Sequence, residues 1–257
     1  MSGLSGMVWV EGHKALRSRL PLLTGLGFLF LPLASAFLIF IYKNPQLTRQ
    51  LGLVSAKANL LVTATDWPAY LKLVAQATAA GGFFFFCLVI SWIFGREFAD
   101  HTLKDWLAVP VPRLSILLAK FSVAAIWSVA LAIEVYLVSL ALGALMQLPQ
   151  GSLAVLLHGS GILAVTVLLT IVSTTPFAFL ASLGRGYLLP LGFAVLVAIL
   201  ANLIAVAGWG EYFAWSVTGL LTQGDPLGPA SYLIVLLTGL AGVLATYLWW
   251  MRADQSR

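Results

Sequence analysis

Charge is what this chain lacks. Of its 257 residues only 9% are Asp, Glu, Lys or Arg, where an ordinary soluble domain has about a quarter. That is too little to cover a water-soluble fold of this length, and 61% of the residues are hydrophobic, so an integral membrane protein is expected. There is a single cysteine, Cys87, inside an apolar run, which excludes a disulfide framework and a cysteine-based metal centre. The histidines His13, His101 and His158 are far apart without ligand spacing, so no metal site is expected. No G-x-x-x-x-G-K followed by Ser or Thr occurs, nor any H-E-x-x-H or G-x-S-x-G, so the chain is expected to carry no ATP site and no hydrolase site. The formal charge is +5, from 14 Lys and Arg against 9 Asp and Glu. In a membrane protein such an excess reports topology, and no nucleic-acid partner is expected.

What is present is apolar runs. A spanning helix needs about 20 mostly apolar residues, and reading between the charges gives six of them, near 21–42, 68–94, 114–146, 153–181, 187–208 and 229–251. The third and fourth are separated only by the polar, helix-breaking turn Gln147 to Ser152. With the N-terminus inside, the inner segments hold ten Lys and Arg and the outer ones four, Lys43, Arg49, Lys57 and Lys72. The positive-inside rule then predicts a multi-pass protein of the cytoplasmic membrane with both termini in the cytoplasm. Basic residues before an apolar run and Ala34-Ser35-Ala36 imitate a cleavable leader, but the run continues to Tyr42, and an uncleaved first helix is expected. Trp67 and Trp92 bracket the second span as interface anchors would. The whole of 1–257 reads as one transmembrane domain.

Three segments lie outside the spans. Residues 7–19 place Val8, Gly12, Ala15, Leu16 and Leu20 near one helical face and Glu11, Lys14 and Ser18 opposite, as in a helix lying along the inner leaflet or in a simple topology signal. In the long outer connection from Lys43, Asp66 precedes Trp67-Pro68 as a helix cap. The aromatic stretch Trp209 to Gly228 fits an interfacial or re-entrant element better than a solvated loop. The loop 95–113 carries the strongest pattern. Phe98, Ala99, Thr102, Leu103, Trp106 and Leu107 form one stripe of an amphipathic helix that Pro110 and Pro112 end. Its mixed charges suit a groove on a partner protein as well as a membrane surface.

That loop resembles the cytoplasmic signature of ABC type-2 exporter permeases, through Glu97-Phe98, Thr102-Leu103-Lys104, Pro110-Val111-Pro112-Arg113 and the closing Lys120. Glu11, Lys14 and Arg17 also resemble that family's N-terminal helix, while His101 stands where a Gly is usual. The resemblance implies an all-α fold of six transmembrane helices, with an N-terminal interfacial helix, a cytoplasmic coupling helix and a re-entrant or interfacial element before the last span. It implies a membrane subunit that pairs with a second permease, identical or homologous. Two copies of a separate ATP-binding subunit would then dock on the pair, and ATP and Mg would sit on that partner. Glu97, Phe98, Thr102, Leu103, Trp106 and Leu107 are the ATPase-coupling positions it implies.

Polar groups within the spans are costly and mark either function or local structure. Glu134 is the lone acid inside a span and is a substrate-path candidate or a hydrogen-bonded structural residue. Asn202 in the fifth span is a second path candidate, with interhelical bonding as its other reading. Phe83-Phe84-Phe85-Phe86 points all round the second helix, so that Phe83 or Phe86 could form a hydrophobic constriction. Thr166 to Pro176 reads as a hydroxyl-supported proline kink. A pathway so poor in charge predicts a hydrophobic or amphipathic cargo, such as a drug, a peptide or a lipid-like molecule. The rival reading is a stand-alone secondary transporter or channel, but neither a convincing inverted repeat nor several intramembrane charges support it. A third is an ATPase-coupled permease that serves peptide sensing or membrane-protein assembly.

Overall fold

In lipid every backbone N–H and C=O must find its partner inside the protein, and for apolar stretches separated by Gly, Pro and charge the answer is the helix. The computed structural model describes residues 3–44, 64–100 and 111–252, which are helical and without strands. The elements are α1 (Gly3–Arg17), α2 (Leu20–Lys43), α3 (Trp67–Ala77), a π-helical turn (Thr78–Gly82) and α4 (Phe83–Ala99). After them come α5 (Arg113–Leu145), α6 (Leu153–Thr174), α7 (Pro176–Leu183), α8 (Leu188–Val206), a 3-10 turn (Gly210–Tyr212), α9 (Ala214–Gln223) and α10 (Pro229–Arg252). Six helical rods are long and apolar enough to cross a membrane: α2, α3 with α4, α5, α6 with α7, α8 and α10. They lie within a few residues of the spans read from the sequence.

The second rod is the centre of the bundle, packed against the first, third, fourth and fifth. Its Tyr70, Val74, Phe86, Cys87, Val89 and Phe94 are almost wholly enclosed. The fifth rod is the barest, and Leu188 and Val206 of α8 point outward at 85% and 90% exposure. The short helix α9 does not sit on the surface. It wedges between α3, α6, α8 and α10, with Val217 buried and the Trp215 indole N–H donating 2.9 Å to the Ser173 carbonyl. The stretch expected to be interfacial or re-entrant is thus a short helix packed into the bundle.

Asp66 caps α3 as its sequence position predicts, accepting from Ala69 N–H at 2.9 Å. One other expectation is corrected. Trp67 is no interface anchor but is buried under the 146–151 turn, its backbone N–H donating to the Pro149 carbonyl at 3.1 Å. Trp92 is half-buried, edge-on to Trp127 with ring centroids 5.9 Å apart.

The kink at Pro176 forms as the Ser/Thr-rich run suggests. Thr175 supplies a hydroxyl to both Val172 O at 3.0 Å and Gly239 O at 2.7 Å, so the break in the fourth rod is stitched to the sixth. Gly242 makes that contact fit, since a Cβ there would lie 2.7 Å from Pro176 Cα. Gly242→Val is therefore expected to destabilise the bundle by about 1–3 kcal/mol through overpacking. The control Gly161→Val, with no neighbour within 4 Å of its new Cβ, leaves stability unchanged; thermal unfolding of the two purified variants in one detergent checks this.

Candidate functional site

The conspicuous chemistry lies at the end of the bundle where α1 and both flanks of the 101–110 segment meet. Four charged side chains from three helices converge there: Glu11 and Lys14 of α1, Glu97 near the end of α4 and Lys120 of α5. The Lys120 ammonium donates to both Glu97 carboxylate oxygens at 2.7 Å, to the Ile93 carbonyl at 2.9 Å and to Glu11 Oε2 at 3.4 Å. Lys14 donates to Glu11 Oε1 at 2.7 Å and to Glu97 Oε1 at 2.8 Å. Two carboxylates and two ammonium groups cancel. That balance is required, because Glu11, Glu97 and Lys120 are 5%, 2% and 1% exposed and bare charges so placed would be prohibitively costly. An ammonium has three hydrogens, and Lys120 meets three acceptor groups.

Local sequence makes this possible. Glu11 and Lys14 are three residues apart and share one face of α1. Lys120, seven residues into α5, turns its long stem inward and reaches over the last turns of α4. The consequence for α1 corrects the sequence expectation. Glu11 faces the bundle with Met7 and Ala15, while Leu16 is 76% and Trp9 61% exposed. The paired charge draws Glu11 inside. Of the apolar stripe Ala15 is buried with it and Val8 and Leu20 pack on the core, while Leu16 is left to the surroundings of the bundle, where a bilayer interface suits it.

Further contacts extend the cluster. Arg96 donates to Asp100 Oδ2 at 3.1 Å and to the Lys14 carbonyl at 3.4 Å, with its guanidinium carbon 4.9 Å from the centre of the Trp92 ring. Trp127, against Trp92, donates its indole N–H to Thr24 Oγ1 at 3.2 Å and so reaches α2. On the other flank Phe98 packs edge-on to Trp249 and Trp250, at 5.6 and 6.2 Å. Arg113 donates to the Trp250 carbonyl at 2.9 Å, and the Trp250 indole to Ser182 Oγ at 3.0 Å. Both chain ends of the 101–110 segment are thus pinned to the bundle.

Of the coupling positions implied by the resemblance, Glu97 lies inside the charge cluster and half-buried Phe98 lies on the α10 tryptophans. Thr102, Leu103, Trp106 and Leu107 lie outside the described residues. The path candidates separate. Asn202 and Phe83 line one cleft of about 510 Å³ between the second rod, α8 and α9, together with Gln76, Ser216, Thr218 and Gln223. Asn202 donates only to its own helix, at Ala198 O, 2.9 Å. Phe86 is buried and stacked on Phe28 at 5.4 Å. Glu134 is half-buried against Gly25 of α2, where a Cβ on that glycine would sit 3.5 Å from its Oε2, and it does not line the cleft.

Fold and site together define a multi-pass helical membrane protein with one end built as a single charged unit. A family described as ABC-2 family transporter protein matches residues 7–202, which is most of the chain and includes all four charges. Over 171 residues the chain is 25% identical to the bacitracin transport permease protein of Bacillus licheniformis, covering 65% of this chain and 82% of that one. No solved structure matches. The chain belongs to the ABC-2 transporter family, and it is a membrane subunit of an ABC transporter.

Proposed function

We propose that this permease exports a hydrophobic or amphipathic cargo from the cytoplasm or inner leaflet, driven by ATP that a separate subunit hydrolyses. The observation that carries the reading is the buried charge cluster. Glu11, Lys14, Glu97 and Lys120 join α1 and the segments on both sides of the 101–110 loop into one body. A partner that engages Thr102, Leu103, Trp106 and Leu107 then moves the second and third rods together. Glu97 and Phe98 serve coupling from behind that surface, as positioning residues. Two ATP-binding subunits and a second permease, identical or homologous, complete the assembly, and the charged end lies in the cytoplasm with both termini.

The cargo route runs by the Asn202 cleft, whose wall is apolar with amide and hydroxyl groups and no charge. A second permease against the bare face of α8 would close it into a shared path. The relative is named for bacitracin transport, and a peptide cargo is in keeping with a wall of this chemistry. The test is cargo profiling of cells that carry the permease with its ATPase. Asn202→Leu and Phe83→Ala are expected to change tolerance to some amphipathic compounds and peptides by about tenfold, the effect of roughly 1.4 kcal/mol in binding. Asn202→Leu, at an exposed position, should leave permease abundance unchanged, whereas Phe83→Ala removes a buried ring, so profiles are compared per amount of folded permease. Identical profiles for both variants and the parent would place the route elsewhere, with Glu134 the next residue to replace.

A further inference from the structure

The end of the bundle opposite the charge cluster holds a second cleft, of about 460 Å³, between α3, α6 and the end of α9. It shares only Thr222 with the Asn202 cleft. Its wall is apolar, with Leu71, Val155, Ile162 and Leu221, and at its rim stand Lys72 and His158. Both are exposed, and each lies five residues past the start of its helix, so the two stand at equal depth, about 7–8 Å in at 1.5 Å per residue. The Lys72 ammonium donates to Gln223 O at 2.9 Å, which holds it at the rim. Among the described residues no carboxylate lies within ion-pair distance of it. The start of α3 is already met by the Asp66 carboxylate, so it is the first turn of α6, capped by the neutral Ser152, that adds the positive end of a helix dipole.

From this geometry we infer that the cleft binds a phospholipid with an anionic headgroup, from the leaflet opposite the charge cluster. The phosphate would meet Lys72 and His158 at headgroup depth, and the start of an acyl chain would enter between Leu71 and Val155. Basic residues over an apolar gap between membrane helices are the arrangement that anionic headgroups select. A neutral lipid would leave the Lys72 ammonium without a counter-ion. The inference does not depend on the transport reading, and a cargo-transport failure would leave it standing.

Native mass spectrometry of the complex released from vesicles of equal phosphatidylglycerol and phosphatidylcholine reads the preference. The parent should retain phosphatidylglycerol several-fold over phosphatidylcholine. Lys72→Ala with His158→Ala should abolish that preference. Lys43→Ala, at the same end but bonded to the Met146 carbonyl, should keep it. Val155→Trp fills the apolar part, leaves Lys72 and His158 in place, and should also lose the retained lipid. An unchanged preference in the double variant would overturn the inference. So would retention of the lipid by Val155→Trp, which would make the effect one of surface charge. Displacement by inorganic phosphate would reduce the cleft to a phosphate site and overturn the lipid assignment.

Discussion

Lys120→Met is expected to cost this permease about 3–5 kcal/mol, because it leaves the Glu11 and Glu97 carboxylates buried with Lys14 as their one remaining ammonium partner. That is a large share of the stability of a typical domain. The membrane content of folded protein should fall sharply, as read by size-exclusion of a fluorescent fusion. Glu97→Gln should also be harmful, since it leaves Lys120 and Lys14 with Glu11 as their one remaining carboxylate, at 3.4 Å from Lys120. The double variant Lys120→Met with Glu97→Gln restores neutrality and keeps the Glu11–Lys14 pair. It should therefore be less destabilised than the sum of the single variants, by about 0.5–3 kcal/mol. Additive losses would mean that the four groups do not act as a unit.

Leu103→Asp should act in another way. The residue falls in the apolar stripe with Phe98, Thr102, Trp106 and Leu107, and a carboxylate in an apolar groove of a partner has no compensating bond. A penalty of about 3 kcal/mol corresponds to more than a hundredfold in affinity. The ATP-binding subunit should be lost on purification and transport abolished, while the permease itself reaches the membrane in normal amounts. The contrast with Lys120→Met separates the surface that meets the partner from the cluster that supports it. Should both variants deplete the permease equally, the stripe would belong to the core.

The spans are legible because charge is so scarce that the uncharged stretches are long enough to cross, and where no charge intervenes the polar turn Gln147 to Ser152 marks the division. The cap at Asp66 and the hydroxyl-supported kink at Pro176 are local chemistry and are equally readable. The orientation of α1 is not. Periodicity ranks faces by apolar content, and it set Glu11 on the polar face of a helix lying along the leaflet, whereas Glu11 is buried because one of its partners lies 109 residues away on α5. A signal was available, since a lysine seven residues into a membrane helix demands a buried acid. Glu97, Glu11 and Lys14 were all marked in the sequence by family resemblance, but only the fold brings them to Lys120. The cleft around Asn202 was half legible. Asn202 and Phe83 are chemically conspicuous, whereas Gln76 and Gln223 join them only because α9 folds back into the bundle.

The proposed function requires that a separate ATP-binding subunit drive this permease. Native mass spectrometry of the permease, tagged and gently purified from the cell that makes it, tests this most directly. The account predicts a complex of two permease chains with two copies of an ATP-binding subunit, which Leu103→Asp reduces to permease alone. A parent permease that emerges without any ATP-binding subunit, under conditions that keep other membrane complexes whole, would contradict it.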